Sequence, residues 1–171
     1  MLPDELISVE AIQSRVAELG NEISSDYAGQ ELVVIGVLLG AIVFVADLVR
    51  RLEVPVELGA LRAASYGGAT QSSGNVSLKW SLRPEVTGRH VLVVEDIVDT
   101  GRTLAVVRQR LMRQKPESLA ACALLSKPSR RVCDVPVEYC GFTIGDAFVV
   151  GYGLDYRGMY RNLPYIGVVN T

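Results

Sequence analysis

Cysteine is scarce in this sequence and poorly spaced for cross-linking. Cys122, Cys133 and Cys140 are three in number, which suits neither a disulfide framework nor a C-x-x-C zinc site. A reducing, cytoplasmic setting is therefore expected. The single histidine, His90, has no acid or cysteine at ligand spacing and reads as the start of a strand. An excess of either charge is also missing. Seventeen Lys and Arg face nineteen Asp and Glu, a net charge of −2, which excludes a generic nucleic-acid binder and leaves only a local basic patch open. The N-terminus MLPDELISVE lacks a basic stretch and an apolar stretch, so no signal peptide is expected. The one long uncharged run, Leu32 to Ala46, is interrupted by Gly36 and Gly40 and stops at Asp47. A membrane span needs about 20 apolar residues, so a buried strand, a glycine turn and the start of a helix are expected instead. No internal repeat, low-complexity tract or clear linker is present. The G-x-x-x-x-G-K-[ST] phosphate motif is missing, and the only G-x-G, at Gly151 and Gly153, lacks its third glycine.

What is present is a globular composition. Of the 171 residues, 49% are hydrophobic and 21% charged, enough for one domain spanning 1–171 with a real core. Val9, Ile12, Val16, Leu19 and Ile23 recur at helical steps behind Ser8, predicting a helix over 8–28. Strands are expected at 32–37, 56–66, 76–82, 90–94, 119–125, 148–150 and 166–169, and helices at 41–52 and 102–114. Strands alternating with helices imply an α/β fold with a mostly parallel central sheet flanked by helices. The small polar stretch between the strands ending at 66 and starting at 76 reads as a loop on a hairpin arm. Arg108, Arg110, Arg113 and Lys115 read as a solvated helix face.

The chemistry concentrates in VLVVEDIVDTGRTL, from Val91 to Leu104. An apolar strand runs into Glu95 and Asp96, then Asp99, then Thr100, Gly101, Arg102 and Thr103 at the opening of a helix. In open α/β sheets, ligands bind beyond the carboxyl ends of strands. Free backbone N–H groups, hydroxyls and a glycine at a helix start suit a phosphate. Glu95 and Asp96 would repel a phosphate and suit vicinal hydroxyls or a metal. Together they describe a ribose 5-phosphate lying across the loop, with Asp99 near the reacting carbon as a candidate general base. The plain alternative is a loop of solvated acids before an ordinary helix N-terminus.

This segment resembles the phosphoribosyl pyrophosphate (PRPP) motif of the type I phosphoribosyltransferases, and most of all their hypoxanthine-guanine branch in purine salvage. FVVGYGLDYRGMYRNLPYIGV, from Phe148 to Val168, is similar to the 6-oxopurine branch, and the likeness runs from about Leu32 to Val169. The resemblance implies the type I fold, with a small hood from about 127–171 plus the N-terminal segment and a flexible catalytic loop at about 65–76. Ser65 and Tyr66 match the start of that loop. It implies that Glu95 and Asp96 bind the ribose hydroxyls and, with Asp155, serve Mg²⁺. Asp99 then handles the purine N7 proton, and Asp99 to Thr103 hold the 5-phosphate. Leu39, Gly40 and Arg161 contact pyrophosphate. Lys127, Phe148, Val149 and Asp155 frame the purine. The implied substrates and products are PRPP, hypoxanthine, guanine, IMP, GMP and pyrophosphate, with a homodimer or homotetramer and neither nucleic acid nor membrane as partner.

The residues themselves leave alternatives. Lys127 precedes Pro128, Arg130 and Arg131 and reads equally as a surface lysine. Phe148 reads as core, Tyr66 as a surface aromatic, and Asp155 with Arg161 as an ion pair. One departure stands out: the family's pyrophosphate loop commonly carries Leu-Lys-Gly, whereas this chain has Leu38-Leu39-Gly40. The resemblance also implies a cis peptide at Leu38–Leu39. A regulatory RNA-binding protein on the same fold, or an enzyme acting on xanthine or a pyrimidine, are the competing readings.

Overall fold

The computed structural model describes residues 2–65 and 76–169. In chain order these hold β1 (Asp4–Ile7), α1 (Val9–Asp26), β2 (Leu32–Leu38), α2 (Ile42–Val49), β3 (Val56–Ser65) and β4 (Val76–Leu82). There follow β5 (His90–Val98), α3 (Arg102–Met112), β6 (Ser118–Ser126), a 3₁₀ turn (Pro128–Arg130), β7 (Tyr139–Thr143), β8 (Val149–Val150) and β9 (Ile166–Val168). Six strands form one sheet in the order β4-β3-β2-β5-β6-β7. It is parallel from β3 to β7, and β4 returns antiparallel on β3.

The apolar runs explain this centre. Residues 32–37 of β2 and 91–94 of β5 are buried on both sides, as strands in a parallel sheet covered by helices must be. Ser8 caps α1 by accepting from the Ala11 N–H at 3.2 Å. Ile12, Val16, Leu19 and Ile23 then join Phe44 and Leu48 of α2 on one face of the sheet. Leu104, Val107 and Leu111 of α3 pack with Val33, Ile35, Val91 and Val93 on the other. The chain leaves β2 toward β3 on one side, while β5 lies on the other. The loops after β2 and β5 therefore part at a topological switch point, where α/β sheets bind ligands.

Several expectations need correction. Two strands carried no readable pattern. β1 has a single buried residue, Ile7, and β7 only Tyr139, so neither shows a sustained alternation. β1 pairs with β9, and β9 with β8, in a separate antiparallel sheet. β5 runs past 94 to Val98, because Ile97 and Val98 continue their register with Leu125 and Ser126. α2 ends at Val49 rather than 52, closing in a tight turn with the Arg51 N–H on Leu48 O. The basic face of α3 is not simply solvated: Arg108 donates to Glu138 and to Leu119 O, and Arg110 donates to Leu78 O. Of the free cysteines only Cys122 is fully buried, while Cys133 and Cys140 are half-buried. Among the described residues no helix is long and apolar enough to cross a membrane.

Candidate active site

The acids of β5 come first. Strand pairing carries Glu95 to the sheet's carboxyl end with its side chain 4% exposed, and its Oε1 has no hydrogen-bond partner among the described residues. Burial, reinforced by the neighbouring Asp96 charge and only partly opposed by Arg131, raises the Glu95 carboxyl to about 8. Burial also raises Asp96, to about 6, against bonds from backbone N–H groups and the pull of Arg161. Two neighbouring carboxyls, Glu95 buried with an orphaned oxygen and Asp96 half-buried, are costly to the fold and mark a binding site.

The next residues build an anion cradle. Gly101 takes φ +83° as the cap of α3, a conformation that favours glycine. Its cap residue supplies no side-chain hydrogen bond, and the Arg102 N–H makes only a long contact of 3.5 Å to Thr100 Oγ1, so this helix start is suited to an anion. Thr100 O is held by the Val132 and Cys133 N–H groups at 3.0 and 3.2 Å. Asp99, Thr100, Gly101 and Thr103 line a small cavity of about 80 Å³ whose wall includes Glu95. Arg102 heads α3 and is itself engaged.

Across the switch point lies the loop after β2. The Leu38–Leu39 peptide is cis, as the resemblance implied. Leu39 is 46% exposed, so its side chain adds an apolar surface and no charge. Gly40 is the contact point of three segments. A Cβ built on it would overlap Asp96 Oδ2, and a Cβ on Gly153 would overlap Gly40 O. Arg161 donates through Nη1 to Gly153 O and pairs through Nη2 with Asp155 Oδ1, each at 2.5 Å. The ion pair that the spacing allowed is thus present. Asp155 Oδ2 also accepts from the Gly158 N–H at 2.6 Å.

The third wall follows β6. Lys127 is not a surface lysine. It is 6% exposed, and its Nζ donates to Ala147 O at 2.6 Å. Its backbone N–H donates to Val98 O at 3.0 Å, which ties it to the end of β5. Phe148 is not core. It is 46% exposed, and its ring stands nearly perpendicular to that of Tyr156 with centroids 5.5 Å apart, so about half of the side chain is open to a ligand. Val149, beside it, is buried in β8. Ser65 ends β3 opposite Val76, and Tyr66 lies outside the described residues.

The family model for the phosphoribosyl transferase domain matches residues 4–157. Hypoxanthine phosphoribosyltransferase of Salmonella typhimurium is 48% identical over 166 residues, covering 96% of this chain and 93% of that protein. Hypoxanthine-guanine phosphoribosyltransferase of Bacillus subtilis is 46% identical over 164 residues, covering 96% and 91%. The crystal structure of a hypoxanthine-guanine phosphoribosyltransferase from Bacillus anthracis superposes with a TM-score of 0.94 at 45% identity, covering 99% and 100%.

The chain belongs to the hypoxanthine-guanine phosphoribosyltransferase family. Its enzymes are transferases of purine salvage working on PRPP with Mg²⁺. The donor set here suits that ion. Among the described residues no three ligating side chains form a metal cage. Mg²⁺ is commonly held by one or two carboxylates plus substrate oxygens, and Glu95 supplies a buried oxygen without a partner.

Two site residues escaped the sequence reading of this phosphoribosyltransferase. Arg130 pairs with Asp99 at 2.8 Å and with Asp146 at 3.1 Å. Arg131 donates to Asp99 O at 3.3 Å and to Ser126 Oγ at 2.9 Å. Their only signal is their place three and four residues after Lys127, in a stretch that reads as surface charge. A further pair, Tyr152 and Asp47, is joined at 2.5 Å beneath the Gly151–Gly153 turn, and 105 positions of sequence separate the two.

Proposed function

We propose that the enzyme transfers the 5-phosphoribosyl group of PRPP to hypoxanthine or guanine, giving IMP or GMP and pyrophosphate, with the site residues in the following roles. The observation that carries the reading is the gathering of Asp99, Lys127 and the exposed ring of Phe148 around the ends of β5, β6 and β8.

The base stacks on Phe148, and the backbone at Val149 meets its edge. Lys127 has three donors and spends one on Ala147 O. Another is free for an exocyclic 6-oxygen. Adenine presents an amino group there and leaves the lysine without an acceptor, which penalises the wrong base. The purine N9 attacks the anomeric carbon as its bond to pyrophosphate breaks, and the N7 proton passes to Asp99. The 5-phosphate takes the N–H groups of residues 100–103 and the Thr100 and Thr103 hydroxyls. Glu95 and Asp96 accept from the ribose hydroxyls. Arg161 and the backbone of Leu39 and Gly40 receive pyrophosphate. Asp155, with Asp96 and Glu95, would hold Mg²⁺, which neutralises charge on the leaving group. Leu39 replaces a lysine, so pyrophosphate contact at that position rests on backbone groups. Ser65, at the end of β3, and Tyr66 would serve to exclude competing water. A cytoplasmic homodimer or homotetramer is the assembly we infer, and the three free cysteines suit a reducing compartment.

The test is nucleotide formation from PRPP, Mg²⁺ and each of hypoxanthine, guanine, xanthine, adenine and uracil, with Asp99→Asn as control. Product from hypoxanthine or guanine with little from adenine or uracil is expected, and a loss of about 10²–10⁴-fold in the control. No product from any base refutes the reading.

A further inference from the structure

We propose that Arg130 is a positioning residue that orients Asp99 toward the base and fixes its distance from the segment framing the purine. The inference rests on the reading of Asp99 as acceptor of the N7 proton. Arg130 ends the 3₁₀ turn after β6. Its Nε donates to Asp99 Oδ1 at 2.8 Å, and its Nη1 donates to both oxygens of Asp146 at 3.1 Å. Asp99 lies in the loop after β5. Asp146 lies two residues before Phe148. One planar guanidinium therefore spans the two loops between which the base must sit. The fork is rigid, so engaging both carboxylates sets the spacing of those loops. It also occupies Oδ1 of Asp99 and leaves Oδ2 to an incoming N–H.

The neighbouring contacts act in the same direction. Lys127 reaches Ala147 O, and Arg131 holds the Asp99 backbone carbonyl. Residues 127–131 thus grip both loops, and among the described residues only Arg130 holds the Asp99 carboxylate itself.

Exposure separates a positioning role from a structural one. The side chains of Arg130, Asp99 and Asp146 are 44%, 39% and 59% exposed. Ion pairs this open to water contribute little to the stability of a fold. A proton acceptor displaced by about 1 Å, in contrast, loses rate on the order of 100-fold. Losing Arg130 should therefore spare the fold and damage the chemistry.

The experiment compares wild type, Arg130→Ala, Arg130→Lys and Asp146→Asn. Hypoxanthine and PRPP are varied separately, and thermal unfolding is measured on each protein. Arg130→Ala is expected to lose about 10–100-fold in kcat/KM for hypoxanthine, with the PRPP KM within about twofold and Tm nearly unchanged. Added guanidinium ion should restore part of that loss. Arg130→Lys should recover only part, because an ammonium cannot span both carboxylates in a plane. Asp146→Asn should raise the hypoxanthine KM and largely spare kcat. The inference is overturned if Arg130→Ala keeps wild-type kcat/KM for hypoxanthine. It is equally overturned if both substrate KM values rise together or activity falls in step with Tm. A wild type that makes no nucleotide from either base refutes the Asp99 reading itself, and this inference with it.

Discussion

Replacing Glu95 by Gln should make the unliganded protein more stable at alkaline pH while weakening its use of PRPP. The folded-state carboxyl sits at about 8, against an ordinary value of 4.5. Between those two values the folded chain holds a proton that the unfolded chain has released. Stability therefore falls as pH rises through that window, by at most about 1.4 kcal/mol per pH unit. Above pH 8 the whole penalty is present, with a ceiling of roughly 5 kcal/mol from the gap between 4.5 and about 8. Asp96, raised from 3.8 to about 6, adds a slope of the same sign at lower pH. The Asp96 charge is one cause of the Glu95 shift, so Asp96 ionises first and the repulsion between them appears in the Glu95 titration.

Glutamine has nearly the shape of glutamate and no charge at any pH. Urea unfolding in EDTA, at intervals from pH 5 to pH 9, should show wild type and Glu95→Gln nearly equal at pH 5. The variant should gain steadily from there and lead by several kcal/mol at pH 9. In the assay with PRPP the same variant should show a raised PRPP KM, because its amide is a poorer acceptor for ribose hydroxyls than a carboxylate. A stability difference that stays constant with pH, or a variant less stable at pH 9, would refute the argument that burial of an ionisable oxygen governs this site. The expected pairing of gain and loss is that of a site whose charge serves binding at the fold's expense.

Three further outcomes follow from the geometry. Gly40→Ala should raise the PRPP KM at least tenfold in steady-state kinetics, because its Cβ overlaps Asp96 Oδ2 and must displace either the loop or the acid. Tyr152→Phe removes a buried hydroxyl that donates to Asp47 at 2.5 Å, and urea unfolding should show a loss of about 1.5–3 kcal/mol, the range for a bond to a charged acceptor. Lys127→Met should cut kcat/KM for hypoxanthine by about 100-fold while narrowing the preference over adenine, measured by nucleotide formation from each base.

The central sheet was legible because its strands are apolar on both faces and its glycines punctuate them. The 32–46 run resolves into β2, a glycine turn and α2 with no other choice available to so uncharged a segment. The Glu95 to Thr103 stretch was legible because its parts follow one another in sequence: strand, acids, glycine, helix. β1 and β7 were not, since a strand with one buried residue leaves no alternation to read. The cations after β6 failed for a different reason. Lys127, Arg130 and Arg131 look like any hydrophilic turn, and their partners lie at Asp99, Ser126 and Ala147 or Asp146. Whether a charge faces water or a binding site is decided by the segment that folds against it, and that segment is not local.

Gly40 carries the same argument to a single atom. Read in sequence, it is one glycine at the start of a helix, as a phosphate-binding turn would have. Its φ is not in the left-handed region, so backbone freedom does not require glycine there. The requirement comes from two outside contacts: Asp96 Oδ2 occupies the space of a Cβ, and Gly153 is in turn kept bare by the Gly40 carbonyl. Those contacts join the ribose acids, the loop after β2 and the turn that carries Asp155 and Arg161. Three segments that meet at one point move together, so displacing any one of them disturbs the pyrophosphate side and the ribose side at once. Gly40→Ala and Gly153→Ala should therefore give a similar defect in PRPP use, although neither residue offers a side chain to the substrate.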